Sequence, residues 1–174
     1  MLTGRYLLTG PNGPYAVEDF DCGEEPGGWR YRATREDPAT GARLGELDLL
    51  VDPAGRVLQL AAQAGGWLLR GGVVGAETLW RRGEQEHTAP AHGFTGSSPA
   101  FAVVCARLAA ARGDGSLRLV AVHDAVLATV TVDQVWTGAG DMWTSVDRAT
   151  GAVSRWLLDG DLIRAGPGVT ALDT

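Results

Sequence analysis

The stretch from Ser97 to Gly113, SSPAFAVVCARLAAARG, constrains this chain more than any other. Ser98 suits an N-cap and Pro99 the first helical position. Arg112 suits the last turn, and Gly113 the left-handed residue beyond it. The helix expected over 98–112 would hold about fourteen residues and run about 21 Å. Phe101, Val104, Cys105 and Leu108 recur at i, i+3, i+4, i+7 on one side, while Ala102, Ala106, Ala109 and Ala110 cover the other. Arg107 is the one charge in its middle. A helix without a polar face is buried all round, so the flanking segments are expected to enclose it.

Those segments read as strands. Trp29, Tyr31 and Ala33 alternate with Arg30, Arg32 and Thr34, a period of two with one dry and one wet face. Leu47, Leu49 and Val51 likewise oppose Glu46 and Asp48. Pro11-Asn12-Gly13-Pro14, Asp37 to Gly41, Asp52 to Gly55 and Gly65-Gly66 are turn signals between such runs, and Gly71 to Gly75 is expected to bend the chain. Residues 1–81 form a first β-meander, 82–97 a crossover loop without apolar periodicity, and 116–165 a second meander. The tail from Gly166 has no strong pattern and is expected to fray. A weak internal echo pairs Val51-Asp52-Pro53-Ala54-Gly55 with Val146-Asp147 to Gly151. The chain thus reads as a single α+β, mostly β domain over 1–174, with two meanders forming a curved antiparallel sheet or incomplete barrel around one long central helix.

Charge and composition exclude some functions. The net charge of −6 argues against nucleic-acid binding, which needs a basic stripe. All fifteen basic residues are arginine, which fits the coding bias of a GC-rich bacterial genome. Cys22 and Cys105 are far apart and read as two free thiols of a reducing compartment. MLTGRYLLTG lacks the pattern of a signal peptide, and no apolar stretch nears the ~20 residues of a transmembrane segment. A cytoplasmic protein is expected.

No convergent catalytic set stands out, so an enzyme is the minority reading. His87 and His92 are five apart in the expected crossover with no cysteine nearby, which does not make a metal site. His123-Asp124 reads as a turn pair. Ser97 and Ser98 flank no nucleophile elbow, and Gly71-Gly72 is not a phosphate loop. Of Glu18, Asp19 and Asp21, neighbours on a strand point to opposite faces. No cofactor is expected.

Six tryptophans carry more information: Trp29, Trp67, Trp80, Trp136, Trp143 and Trp156. They are either core anchors or the lining of an apolar pocket whose ring N–H groups hold a polar head. The alanine side of the helix allows close packing of a strand or lumen volume for a ligand. Arg107 allows a structural ion pair with an acid of the sheet or contact with a ligand anion. The ligand-binding set expected is Arg107, Ala106, Trp67, Trp136 and Trp156.

Gly93-Phe94-Thr95-Gly96-Ser97-Ser98-Pro99, continuing through Ala106-Arg107-Leu108 to Gly113-Asp114, resembles a signature of a family named for glycolipid binding. Gly66-Trp67 to Gly71 resembles that family's Gly-x-Trp-x-x-x-Gly strand. Asp133 to Trp136 resembles its Gln-x-aromatic strand, and Val146-Asp147 to Val153 its final hairpin. Here Gly-Ser-Ser-Pro and Ala-Phe-Ala stand where the family usually carries Asp and Asn around Thr-Pro. The resemblance implies a half-barrel on a helix with an apolar cavity between them. The expected function is non-catalytic binding of a lipid-like or other apolar small molecule. The alternatives are an interaction module, including a homodimer through sheet edges, and an enzyme acting on an apolar substrate.

Overall fold

The computed structural model describes residues 1–172. Its first half is a meander of eight strands: β1 (Leu2–Gly10), β2 (Gly13–Glu25), β3 (Gly28–Glu36), β4 (Arg43–Val51), β5 (Val57–Ala64), β6 (Trp67–Val74), β7 (Glu77–Arg82) and β8 (Gln85–Ala89). A short strand β9 (Gly93–Gly96) leads into the helix α1 (Ala100–Arg112). Six strands follow: β10 (Ser116–His123), β11 (Ala128–Ala139), β12 (Met142–Asp147), β13 (Val153–Asp159), β14 (Leu162–Gly166) and β15 (Val169–Leu172). All fifteen belong to one sheet in the order β8-β7-β6-β5-β4-β3-β2-β1-β15-β14-β13-β12-β11-β10-β9. Every ladder is antiparallel except β9 on β10. The sheet curves around α1 and does not close.

Period-two alternation places one face of each strand inside. On β3, Trp29, Tyr31 and Ala33 are buried. On β4 it is Leu47, Leu49 and Val51. The outer faces of β1 to β4 carry matched charges, among them Arg5 with Asp19 at 2.7 Å and Arg30 with Asp48 at 2.6 Å. A solvated outer face and an apolar inner one fix the register, because a one-residue slip would exchange them.

The helix is enclosed as its composition requires. Ala100 to Ala106, Leu108 and Ala109 are all buried, and only the last turn from Ala110 emerges. It packs on β9, β10, β11 and β14. The turn between β4 and β5 meets its middle: a Cβ on Gly55, at φ +83°, would lie 2.7 Å from the Leu108 nitrogen and the Val104 oxygen. Gly113 ends the helix in the left-handed conformation, its N–H donating to the Ala109 oxygen.

Three expectations need correction. The stretch 82–97 is not a loop: Gln85–Ala89 pairs with β7, and Gly93–Gly96 pairs with β10. The tail to Leu172 is strand β15, which pairs with β1 and joins the two meanders. Of the stretch Gly71 to Gly75, Gly75 turns the chain at φ +62°, while Gly71 and Gly72 lie within β6. A Cβ on Gly71 would meet the Phe94 ring at 2.7 Å, so glycine there lets Phe94 cross the open seam of the sheet. The two turns of the internal echo each join a hairpin, with the Asp52 or Asp147 carboxylate accepting the N–H two residues on, and a third turn matches that at Asp147 more fully. At Asp37 and at Asp147 a carboxylate oxygen accepts the N–H of residues two and three further on, at 2.9 and 2.8 Å. Both sites read Asp-x-Ala-Thr-Gly, with glycine left-handed at Gly41 and Gly151.

Candidate functional site

Period-two alternation puts two charged residues on the dry face. Glu18 follows Ala16 and precedes Phe20 and Cys22 on the inside of β2; Arg35 follows Tyr31 and Ala33 on the inside of β3. The two are directly opposite in the β2–β3 ladder. Glu18 is completely buried, and the Arg35 side chain is 13% exposed. A buried charge is tolerated only when paired and hydrogen-bonded, and this one is. The Arg35 Nε donates to Glu18 Oε2 at 2.7 Å. The Tyr31 hydroxyl and the Ser98 Oγ donate to Glu18 Oε1 at 2.6 and 2.7 Å. Three donors thus converge on the two Glu18 oxygens.

Ser98 therefore does not cap the helix as its position suggests. Pro99 holds the cap position with no side-chain bond, and the Ser98 hydroxyl goes to Glu18 instead. The network extends outward from Arg35. Its Nη1 donates to the Ser97 Oγ at 2.9 Å and lies 2.8 Å from Asp124 Oδ2 in the β10–β11 turn, to which the Ser97 hydroxyl also donates. Burial alone would lower the Arg35 pKa, but the charges of Glu18 and Asp124 outweigh it and hold the guanidinium protonated. Burial and the Glu18 charge push the Tyr31 hydroxyl well above its ordinary value, so it remains a donor.

This network forms one end of a cavity of about 440 Å³ between the sheet and the first turn of α1. Its walls are Leu47, Leu60 and Ala62 from β4 and β5, Phe101 from the helix, and Val122 and Leu127 from β10 and the turn after it. Arg35, Ser98 and Asp124 supply its polar end. Leu44, Arg43, Gly65 and Ala125 are exposed lining residues and mark the mouth. Leu127 adopts φ 52°, the one left-handed non-glycine residue among the described residues. Its side chain is 4% exposed, so the strained turn drives a leucine into the cavity wall.

The five residues expected to bind ligand fall elsewhere. None of them lines this cavity. Trp67 comes nearest: it is 38% exposed at the start of β6, with the Arg82 guanidinium 3.5 Å above its ring. Arg82 in turn donates to the Val126 oxygen in the turn that walls the cavity, at 2.7 Å. Ala106 is buried in the core. Arg107, about 9 Å further along the helix axis than Phe101, pairs with Asp161 and lies over the Trp29 ring at 5.1 Å. Trp136 and Trp156 stack at 6.2 Å. The Trp136 ring N–H donates to Gln134 and that of Trp156 to Ser145. Arg107 thus has the ion pair that was one of its two readings.

Other chemistry is quiet. Burial pushes the thiols of Cys105 and Cys22 to about 12 and about 11, which keeps them protonated and unreactive. His87 stacks on Trp80, and His92 accepts the Arg118 N–H through Nδ1. Among the described residues no group of three His, Cys, Asp or Glu is placed to hold a metal ion. Among the described residues no helix is long and apolar enough to cross a membrane.

A curved, unclosed sheet on a central helix, with a cavity at the helix N-terminus, defines the class of fold. The chain is similar to the crystal structure, at 1.80 Å resolution, of a DUF1089 family protein from Pseudomonas aeruginosa. The match covers 88% of this chain and 90% of that one, with a TM-score of 0.63 at 17% sequence identity. It shows a DUF1089-like fold. No family model matches the sequence, and no curated protein matches it.

Proposed function

We propose that this chain is a cytoplasmic, non-catalytic binding protein that holds a lipid-like or other apolar small molecule in the cavity beside Phe101. The observation that carries this is the cavity itself: about 440 Å³, mostly apolar walls, and one polar end built from Arg35, Ser98 and Asp124. Sites for small amphiphiles have this form, typically 300–1,000 Å³ with few polar groups fixing orientation. The resemblance of Gly93 to Asp114 to the glycolipid-binding family supports the same reading.

A neutral, environment-sensitive apolar dye should bind at about one per chain. Ala62→Phe fills the lumen and should weaken binding by about tenfold or more, with the circular dichroism unchanged. Arg107→Met tests the rival location, the set Arg107, Ala106, Trp67, Trp136 and Trp156; it should leave dye binding as it was. Saturable binding lost in Arg107→Met and kept in Ala62→Phe would move the site to that set. No saturable binding by any apolar probe would end the reading.

A second reading, self-assembly, has one observation in its favour. β8 is a sheet edge exposed over Gln85–Thr88, and the chain has no lysine to blunt it. Light scattering at high concentration separates a dimer from a monomer.

A further inference from the structure

The polar end of the cavity contains its own anion. A helix N-terminus ordinarily attracts a carboxylate or phosphate from outside, and an arginine nearby would strengthen that attraction. Here the Glu18 carboxylate stands beside the helix start, hydrogen-bonded by Ser98, and takes the Arg35 Nε as well. Asp124 takes a second side of the same guanidinium. Counting Arg35 as one positive charge and Glu18 and Asp124 as one negative charge each, the polar end carries a net −1. At the rim, Arg43 and Glu46 are paired at 2.7 Å and add nothing to that sum. An entering anion therefore meets an arginine already neutralised, with a surplus negative charge behind it.

The hydrogen-bonding capacity left over is equally specific. Asp124 Oδ2 receives both contacts described above, and Oδ1 has no partner among the described residues. The Arg35 Nη2 likewise makes no hydrogen bond among them. An open acceptor oxygen and an open donor nitrogen fit a group that both gives and takes a hydrogen bond. A hydroxyl does this without charge. A carboxylate satisfies only the donor, and an ammonium only the acceptor while facing the guanidinium.

Resting on the reading of this cavity as a ligand site, we propose that it selects uncharged amphiphiles with a hydroxyl head and rejects carboxylates and phosphates, with Glu18 and Asp124 as the specificity-determining residues. The chemical complement of Arg35 is supplied by the protein, so the ligand brings none.

Competition against the neutral dye tests this, using decan-1-ol, decanoate and decylammonium at about pH 7, where the latter two are ionised. Decanol should displace the dye at about tenfold lower concentration than either ion. Asp124→Asn lies at the partly exposed end of the network and removes one negative charge; it should improve decanoate by about fivefold and change decanol much less. Glu18→Gln should do the same, and Asp124→Asn carries the test where Glu18→Gln does not fold. Decanoate equal to decanol in the unmodified protein, decylammonium better than decanol, or an unchanged decanoate-to-decanol ratio in Asp124→Asn would each overturn the selectivity while leaving the cavity reading intact. A dye that does not bind at all overturns the cavity reading, and the selectivity with it.

Discussion

At the scale of single residues, the pair Glu18–Arg35 places two charges in an apolar core. Two charges inside a protein are held by each other and by the hydroxyls of Tyr31, Ser97 and Ser98. Removing one leaves the other unpaired, which typically costs about 3–5 kcal/mol. Arg35→Met keeps much of the stem and loses the charge; it should lower stability by about that amount in urea unfolding, and a change under about 1 kcal/mol would show that water reaches Glu18. Neither residue was among the expected site residues, although each is a charge at a dry position of an alternating strand, Glu18 between Ala16 and Phe20 and Arg35 two beyond Ala33. The signal that they meet is their cross-strand register, which depends on the loop between β2 and β3 and cannot be read from alternation alone. Arg107 drew attention because it interrupts an apolar helix, yet its partner Asp161 lies 54 residues on, in the β13–β14 turn. Asp124 read as a turn residue, which it is; its second role depends on the turn arriving beside β3.

At the scale of elements, the helix is where sequence and structure agree most fully, because composition alone forces its burial. Leu108 is buried and lies beside Gly93 and under the Gly55 turn. Leu108→Ala should cost about 2–5 kcal/mol; a loss under about 1 kcal/mol would place that face of the helix at the surface. The short strands were less legible. β8, β9 and β15 have four or five residues each, too few for a period to emerge, and they form because neighbouring strands offer open edges. The junction into β9 is also titratable. Burial first, and then the nearby Arg112 and Arg118, push the His92 imidazole below its ordinary value. Protonation would also remove Nδ1 as acceptor of the Arg118 N–H. A depressed histidine means that the unfolded chain binds more protons, so this contribution is complete above about pH 6.5 and is lost as pH falls through the folded value. The urea midpoint should therefore drop on acidification through this range, and His92→Asn should drop less; an equal slope in the variant would remove His92 from the account.

At the scale of the whole molecule, the fifteen strands among the described residues form one sheet and leave a seam between β8 and β9 that no backbone ladder among them closes. Side chains cross it: Thr78 donates to the Ala91 oxygen at 2.8 Å, and Phe94 fits against Gly71. Enclosing one helix this way leaves space where the helix begins and the sheet curves away, and that space is the cavity. The incomplete barrel on a central helix could be expected from two meanders flanking an apolar helix. Which end of the helix would hold the space could not, since it depends on the Glu18 network drawing Ser98 and the Asp124 turn together. The most direct measurement is a crystal structure with a bromine-labelled decanol, whose anomalous signal locates the chain end. One strong peak is expected among Leu60, Phe101 and Leu127, with the hydroxyl toward Arg35 and Asp124. A peak beside Trp136, Trp156 or Arg107, or no peak in a cavity that remains open, would contradict this placement.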